Sequence, residues 1–347
     1  MQPFIGNRPI RKVALLVSIL LGCFWIASFV PSLVLALLLS ALLAFILKPL
    51  VKFLEFRLGL RRSIAILCVF VLGGGSVVLA SMKLVPVLIE RAQLLYEQFR
   101  NFPFQVKLNE AAQDLAKHIP FVDPTTASLK ANAMIATVTE SIGAAVEDVF
   151  SLIAIFAIIP FVTYFVLAEG DAALKNLIQR VPNKYFEMSL NVLNKIERDL
   201  VGYLRGWILD SIIIGVLSIA GLWLIGVDYP ILIGTVAGIA NLVPYLGPVV
   251  GAVPAFLVSL TQFGDFRMLV PIIVLSVAIQ AIDNIVVQPL CFAKTVDMHP
   301  LTVILVLLVG NELMGVAGML VAIPIATVLK VSIVETYWGL SNYRITA

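Results

Sequence analysis

An all-α, polytopic membrane protein is the fold class this sequence predicts, and three observations predict it. Of its 347 residues, 61% are hydrophobic and 13% charged, and the mean hydropathy is +1.04. A soluble domain is nearer half apolar and a quarter charged. The apolar residues fall in runs of about 20, the length a helix needs to cross a bilayer. Two Gly/Pro-interrupted runs in the C-terminal half echo one another at an offset of seventy residues. The expectation is about eight transmembrane helices, two broken segments (spanning or re-entrant) in the C-terminal half, and a helical extracytoplasmic insertion.

Residues 1–85 read as an N-terminal three-span membrane region. Val13 to Val30 is the first span, Pro31 makes the turn, Ser32 to Leu50 is the second, and Ser63 to Val85 is the third. Arg8, Arg11 and Lys12 precede the first run, but no A-x-A site separates it from the second. It therefore reads as a membrane helix rather than a cleaved leader. Lys48, Lys52, Arg57, Arg61 and Arg62 stand against the single acid Glu55, and short loops rich in Lys and Arg stay in the cytoplasm. Gly73-Gly74-Gly75 permits close helix contact or marks a locally loose helix.

Residues 86–148 carry eight acids and five bases and form the extracytoplasmic helical region. Leu88, Leu95, Phe99 and Phe102 repeat at helical spacing, and Asp123-Pro124-Thr125 is a helix start. This region is a structural cap, or else a substrate gate. Residues 149–206 hold the fourth span, Val149 to Ala168, and an amphipathic cytoplasmic helix, Tyr185 to Leu204. Its Leu190, Leu193, Ile196, Leu200 and Leu204 repeat at three- and four-residue steps, as an interfacial helix requires. Lys195 and Asp199 are placed to pair at i, i+4.

Residues 207–347 form the expected transport core, with a span from Trp207 to Gly226, another from Met268 to Val287, and broken segments at 229–263 and 300–338. A shift of seventy lays Pro230 on Pro300, Asn241 on Asn311 and Pro254 on Pro324. The expected hinges are Pro244, Gly247, Pro248 and Pro254 in the first segment and Gly315, Gly318 and Pro324 in the second. Paired interrupted segments point to a transporter's binding region. Counting each as one crossing leaves both termini cytoplasmic.

An intramembrane ionisable group is costly, so its default reading is functional. Asp210, Asp283 and Glu312 are the acids clearly inside apolar segments. Gln280, Asp283 and Asn284 share one helix face, with Gln288 beyond them, and Asn241 and Asn311 sit at the two breaks. The expectation is that both breaks and the Asp283 face line one polar cavity, and that these residues form the substrate or ion pathway. The plainer alternatives are amides that hold helices together, Asp283 paired with Lys294, and Asp210 paired with Arg205.

Other classes find no support. H-E-x-x-H, G-x-S-x-G, G-x-G-D and the P-loop pattern are absent, and His118 and His299 lie in different regions. No enzyme, cofactor or metal site is expected. A net charge of +3 gives nucleic-acid binding no footing. Cys23, Cys68 and Cys291 show no ligand spacing and are expected as free thiols.

Four blocks carry a family resemblance: Lys48-Pro49-Leu50 with Leu54, Arg57, Gly59 and Leu60; Val201-Gly202-Tyr203-Leu204-Arg205-Gly206; Asn241-Leu242-Val243-Pro244-Tyr245-Leu246-Gly247-Pro248; and His299-Pro300-Leu301 with Gly310, Gly315-Val316-Ala317-Gly318 and Val321-Ala322-Ile323-Pro324. With these the chain resembles the autoinducer-2 exporter-like (AI-2E) family of bacterial membrane permeases. The resemblance implies a multi-pass protein of the bacterial inner membrane, in contact with membrane lipid. It also implies a homo-oligomer, with a pentamer among the options. Export of a small polar molecule is implied, autoinducer-2 of quorum sensing being the named case. Some relatives act as sodium or lithium/proton antiporters, and here Asp283 and Glu312 would relay the proton. A non-transporting oligomeric scaffold or channel is the third reading. Asp210 departs from the uncharged polar residue the resemblance implies at its position.

Overall fold

The computed structural model describes residues 31–103, 106, 133, 149–292 and 298–342. The first expected span, the Asp123-Pro124 helix start, His118 and Lys294 lie outside the described residues. What is described is helical, with no strand. Five helices among the described residues are long and apolar enough to cross a membrane.

Helix α1 runs Pro31–Leu58. Helix α2, Arg62–Val69, passes through a π-helical turn at Phe70–Gly74 into α3, Gly75–Asn101. A Cβ at Gly73, Gly74 or Gly75 would meet nothing within 4 Å. The glycine triplet therefore marks a loosened helix in this chain, not a close contact. Helix α4, Val149–Gln179, continues 11 residues beyond the expected span. Helix α5, Asn183–Leu224, is 42 residues long, about 63 Å at 1.5 Å per residue. The amphipathic helix and the fifth span are thus one rod, and the boundary drawn at 206/207 falls inside it.

Both broken segments are helical hairpins. In the first, α6, Pro230–Ala240, turns through 241–245 into α7, Leu246–Phe263. Its arms are antiparallel, because Gly251 of α7 lies against Ala237 of α6 and Gly247 against Asn241. Its two ends meet. Gln262 Nε2 donates to the Gly226 carbonyl at 3.0 Å, and the Asp228 amide donates to Gln262 Oε1 at 3.1 Å. The segment returns to the end of the molecule it left. With 11 residues, α6 rises about 16 Å, half the hydrocarbon thickness.

Helix α8, Leu269–Ile282, continues through a second π turn, Asp283–Val287, into α9, Gln288–Phe292. It lies antiparallel to α5, with Leu275 against Gly221 and the Cys291 carbonyl against Gly206. The second hairpin is α10, Pro300–Asn342, broken at Met314 and Gly315, where φ is −146° and +60°. Glycine takes that positive φ without a Cβ penalty. Gly310 of the outgoing arm packs on Gly318 and Ala322 of the returning arm. The returning arm then follows α5 toward its start, as Lys195 Nζ to Glu335 Oε1 at 2.6 Å and Gly339 against Met188 show.

The two hairpins therefore enter from opposite ends of the molecule. Pro230 and Pro300, seventy apart, each open an outgoing arm. Leu242, Val243 and Leu246 at the first hairpin's tip share an apolar cluster with Leu307, Val321 and Ile323 of the second. Of the expected hinges, Pro244, Gly247, Pro248 and Gly315 lie at the turns. Pro254 and Pro324 lie inside returning arms, and Gly318 is a packing contact.

Ion pairs gather at the end where α1 finishes. Lys48 Nζ reaches Asp171 Oδ1 at 3.0 Å and Glu197 Oε2 at 2.9 Å, and Arg62 holds Asp171 Oδ2 at 2.8 Å. These contacts tie α1, α2, α4 and α5 together. Lys195 and Asp199 do not pair as expected. Lys195 takes Glu335, and Asp199 faces Arg198 at 3.5 Å.

Candidate functional site

Close packing of small residues brings the first hairpin's tip to the middle of α5. Gly234-x-x-x-Gly238 on α6 faces Gly215 and Ile219 on α5. A Cβ on Gly238 would stand 2.9 Å from Gly215 Cα and 3.0 Å from the Ser211 carbonyl. Small residues let membrane helices approach this closely. Three residues past Gly238, the next side chain toward α5 is Asn241. Its Nδ2 donates to Asp210 Oδ2 at 2.8 Å. Trp207, one turn earlier on α5, donates its indole N–H to the Leu242 carbonyl. The turn closes on Tyr245, whose φ of +71° is a left-handed conformation costing about 1–3 kcal/mol in a non-glycine residue. Such strain persists only where surrounding contacts impose it.

Asp283 arrives from α8. Its π turn makes residues five apart stack, which sets Gln288 over Asp283. Asp283 Oδ2 accepts from Gln288 Nε2 at 2.8 Å and from Gln280 Nε2 at 3.3 Å. Both amides also reach Asn284 Oδ1 at 3.2 Å. The carboxyl groups of Asp210 and Asp283 are near enough to interact electrostatically. Tyr203 is within electrostatic range of Asp210, Tyr245 of Asp283, and Cys291 of both.

The site is enclosed. Asp210 is 4% exposed, Asn241 1%, Asp283 0% and Ser211 7%. The Oδ1 atoms of Asp210, Asn241 and Asp283 and the hydroxyl of Ser211 are buried with no hydrogen-bond partner among the described residues. Buried oxygens of this kind are expensive unless something satisfies them. Two neighbouring carboxylates away from water repel, and a proton or a cation between them removes the repulsion. The carboxylate oxygens of Asp210 and Asp283 are hard donors, which suit a proton or a hard cation rather than a soft one.

The expected pathway residues separate into two groups. Asp210, Asn241, Asp283, Gln280 and Asn284 come together. Asn311 and Glu312 do not join them. They are exposed and have no hydrogen-bond or ion-pair partner among the described residues. The cause is helix rotation. Leu307 and Gly310 turn inward to the returning arm, so the next two residues face out. Arg205 is likewise exposed, and Asp210 faces Asn241 and Asp283 in its place. The glycine pairs that seat the hairpin are legible in the sequence as Gly234-x-x-x-Gly238 and Gly247-x-x-x-Gly251, a small-residue spacing distinct from the expected hinges.

Toward the basic end the site has an aromatic floor. Tyr203 stacks on Trp207 at 6.1 Å and on Phe292 at 5.6 Å. Phe292 also lines a cavity of about 1110 Å³ between α1, α5, α9 and the returning arm of α10, whose walls include Lys48, Arg205, Met298 and Glu335.

The chain matches the AI-2E family transporter family over residues 14–338. A Bacillus subtilis protein named "Putative transport protein YrrI" is 28% identical over 83% of this chain and 82% of its own length. A second from that organism, "Putative transport protein YueF", is 26% identical over 81% and 78%. "Putative permease PerM" of Escherichia coli K12 is 27% identical over half of this chain and 49% of its own. With a match over nearly all its length and a multi-pass array of apolar helices, the chain belongs to the AI-2E family of membrane transporters.

Proposed function

We propose that this chain is a secondary transporter in which a proton or a monovalent cation held between Asp210 and Asp283 drives export of a small polar solute, of the autoinducer-2 kind, through the basic vestibule. One observation carries the reading: two neighbouring carboxyl groups, at most 4% exposed, at the tip of a broken hairpin. In transporters, coupling ions sit where interrupted helices meet near the bilayer midplane. The basic end is the cytoplasmic end by its Lys and Arg excess. The first hairpin then dips in from outside and the second from inside, leaving six crossings and both termini in the cytoplasm. The inner membrane and a homo-oligomeric state are what the family relationship favours.

A narrower reading, cation/proton antiport with no organic cargo, draws support from the enclosure of the carboxyl pair. The vestibule, far larger than any monovalent cation, favours the export reading. The test is reconstitution in vesicles with a pH-sensitive dye inside and a sodium or lithium gradient imposed. The wild type is expected to move protons against the cation, Asp210→Asn and Asp283→Asn are expected to lose this, and Glu312→Gln to keep it. Full activity in both asparagine variants, or none in the wild type, would overturn the proposal.

A further inference from the structure

We infer that the vestibule is a binding site for an anionic solute bearing a carboxylate or phosphate, so that the exported cargo is an anion. This rests on the transport reading above and names the cargo's chemical class. Six bases line the cavity: Lys48, Lys52, Lys195, Arg198, Arg205 and Lys330. The three acids that line it are all engaged. Glu197 takes Lys48 at 2.9 Å and Lys52 at 3.4 Å, Glu335 takes Lys195 at 2.6 Å, and Asp199 takes Arg198 at 3.5 Å. With six bases against three acids, the lining itself is net positive. Arg205 has no ion-pair partner among the described residues.

Shape adds to charge. Val201, Val331, Val334 and Phe292 supply apolar wall, and a concave site with low-dielectric walls focuses the field of its charges. An arginine fork matches a carboxylate or phosphate through two parallel hydrogen bonds. Arg205 stands five residues before Asp210 on the same helix, with the Tyr203–Phe292 stack at 5.6 Å flooring the carboxyl site. An anion collected here is thus held one barrier away from the coupling pair. An inside-negative membrane potential also favours its outward movement.

The experiment uses the full chain in nanodiscs of neutral phosphatidylcholine, with glycerol 3-phosphate and malate as anionic probes and glycerol as the neutral control. Calorimetry is expected to show both anions binding at least tenfold more tightly than glycerol, with affinity falling as salt rises. Arg205→Gln, at an exposed position that leaves the packing intact, is expected to weaken the anions at least tenfold, and Arg205→Lys to restore part of the loss. Equal binding of anions and glycerol, or no effect of Arg205→Gln, overturns the inference. So does a third outcome, in which phosphatidylglycerol in the disc raises the melting temperature but neither soluble anion binds, since that assigns the bases to lipid headgroups. Failure here with cation-driven proton movement intact sinks only the anion. Anion binding without any coupled flux sinks the transport mechanism and leaves the site.

Discussion

Asn241 and Asp210 are 31 positions apart in sequence and 2.8 Å apart in space. The bond joins the first hairpin's tip to the middle of the longest rod through the bilayer. It also orients the Asp210 carboxyl, whose Oδ1 has no hydrogen-bond partner among the described residues. Replacing Asn241 by Ala removes the donor and strands a buried oxygen, at about 1–3 kcal/mol. A lower melting temperature in nanodiscs and at least a tenfold drop in cation-driven proton movement are expected. Unchanged flux with an intact fold would detach the hairpin tip from the mechanism.

Gly238 tests the packing that puts Asn241 there. A Cβ at this position meets the backbone of Gly215 and Ser211, and backbone cannot move aside as a flexible side chain can. Gly238→Val is expected to cost more than the 1–3 kcal/mol or so of ordinary overpacking and to abolish flux. Gly74→Ala, where a Cβ meets nothing within 4 Å, is expected to leave melting and transport as they are. Equal melting temperatures for the two variants would contradict the α5–α6 contact.

How much of this was legible in the sequence depends on how far apart the partners lie. Composition and run length give the class, because lipid admits little besides helices. The offset of seventy between Pro230 and Pro300 marks the start of both hairpins. The polar face of Gln280, Asp283 and Asn284 follows from helical spacing alone. What spacing cannot show is rotation and partnership. Asn241 and Asn311 look equivalent in sequence, yet one is 1% exposed and the other faces out. Pairing of Asp210 with Arg205 stays open in the sequence because that base is close along the chain. Its actual partners come from two other helices. The vestibule's bases come from three separate stretches of chain, around 48–52, 195–205 and 330, and no window along the sequence gathers them.

The hairpin geometry makes a topological prediction. Because Gln262 bonds to Gly226 and Asp228, residues 228 and 264 belong on the same side of the membrane. In a chain whose native cysteines are replaced by serine, Asp228→Cys and Gly264→Cys are expected to react with an impermeant maleimide added from one side only, the same side for both. Labelling from opposite sides would mean a single crossing, the other course that the sequence leaves open.

Trp207 offers a gentler probe of the same tip. Trp207→Phe keeps an aromatic ring against Tyr203 but removes the N–H that holds the Leu242 carbonyl. The expected loss is about 1 kcal/mol, read as a small fall in melting temperature. Hydrogen exchange at the amides of 241–246 is expected to rise while α8 is unaffected. Unaltered exchange there would show that the indole bond does not restrain the turn.

The ion-pair cluster at the basic end gives a pH prediction of definite sign. Burial pushes the Asp171 carboxyl up, but the bonds from Arg62 and Lys48 more than offset it and hold the group below its ordinary value of 3.8. A carboxyl depressed on folding contributes stability above its unfolded value, and the contribution is lost as pH falls through the lower folded value. Asp171→Asn is therefore expected to lower the melting temperature at neutral pH by loosening α1, α2 and α4. The gap between the variant and the wild type is expected to stay constant down to about pH 4 and to close below it. Asp171 is 39% exposed at the side chain, so the gap is also expected to shrink in high salt. A gap that widened on acidification would show that Asp171 is not held ionised by Lys48 and Arg62.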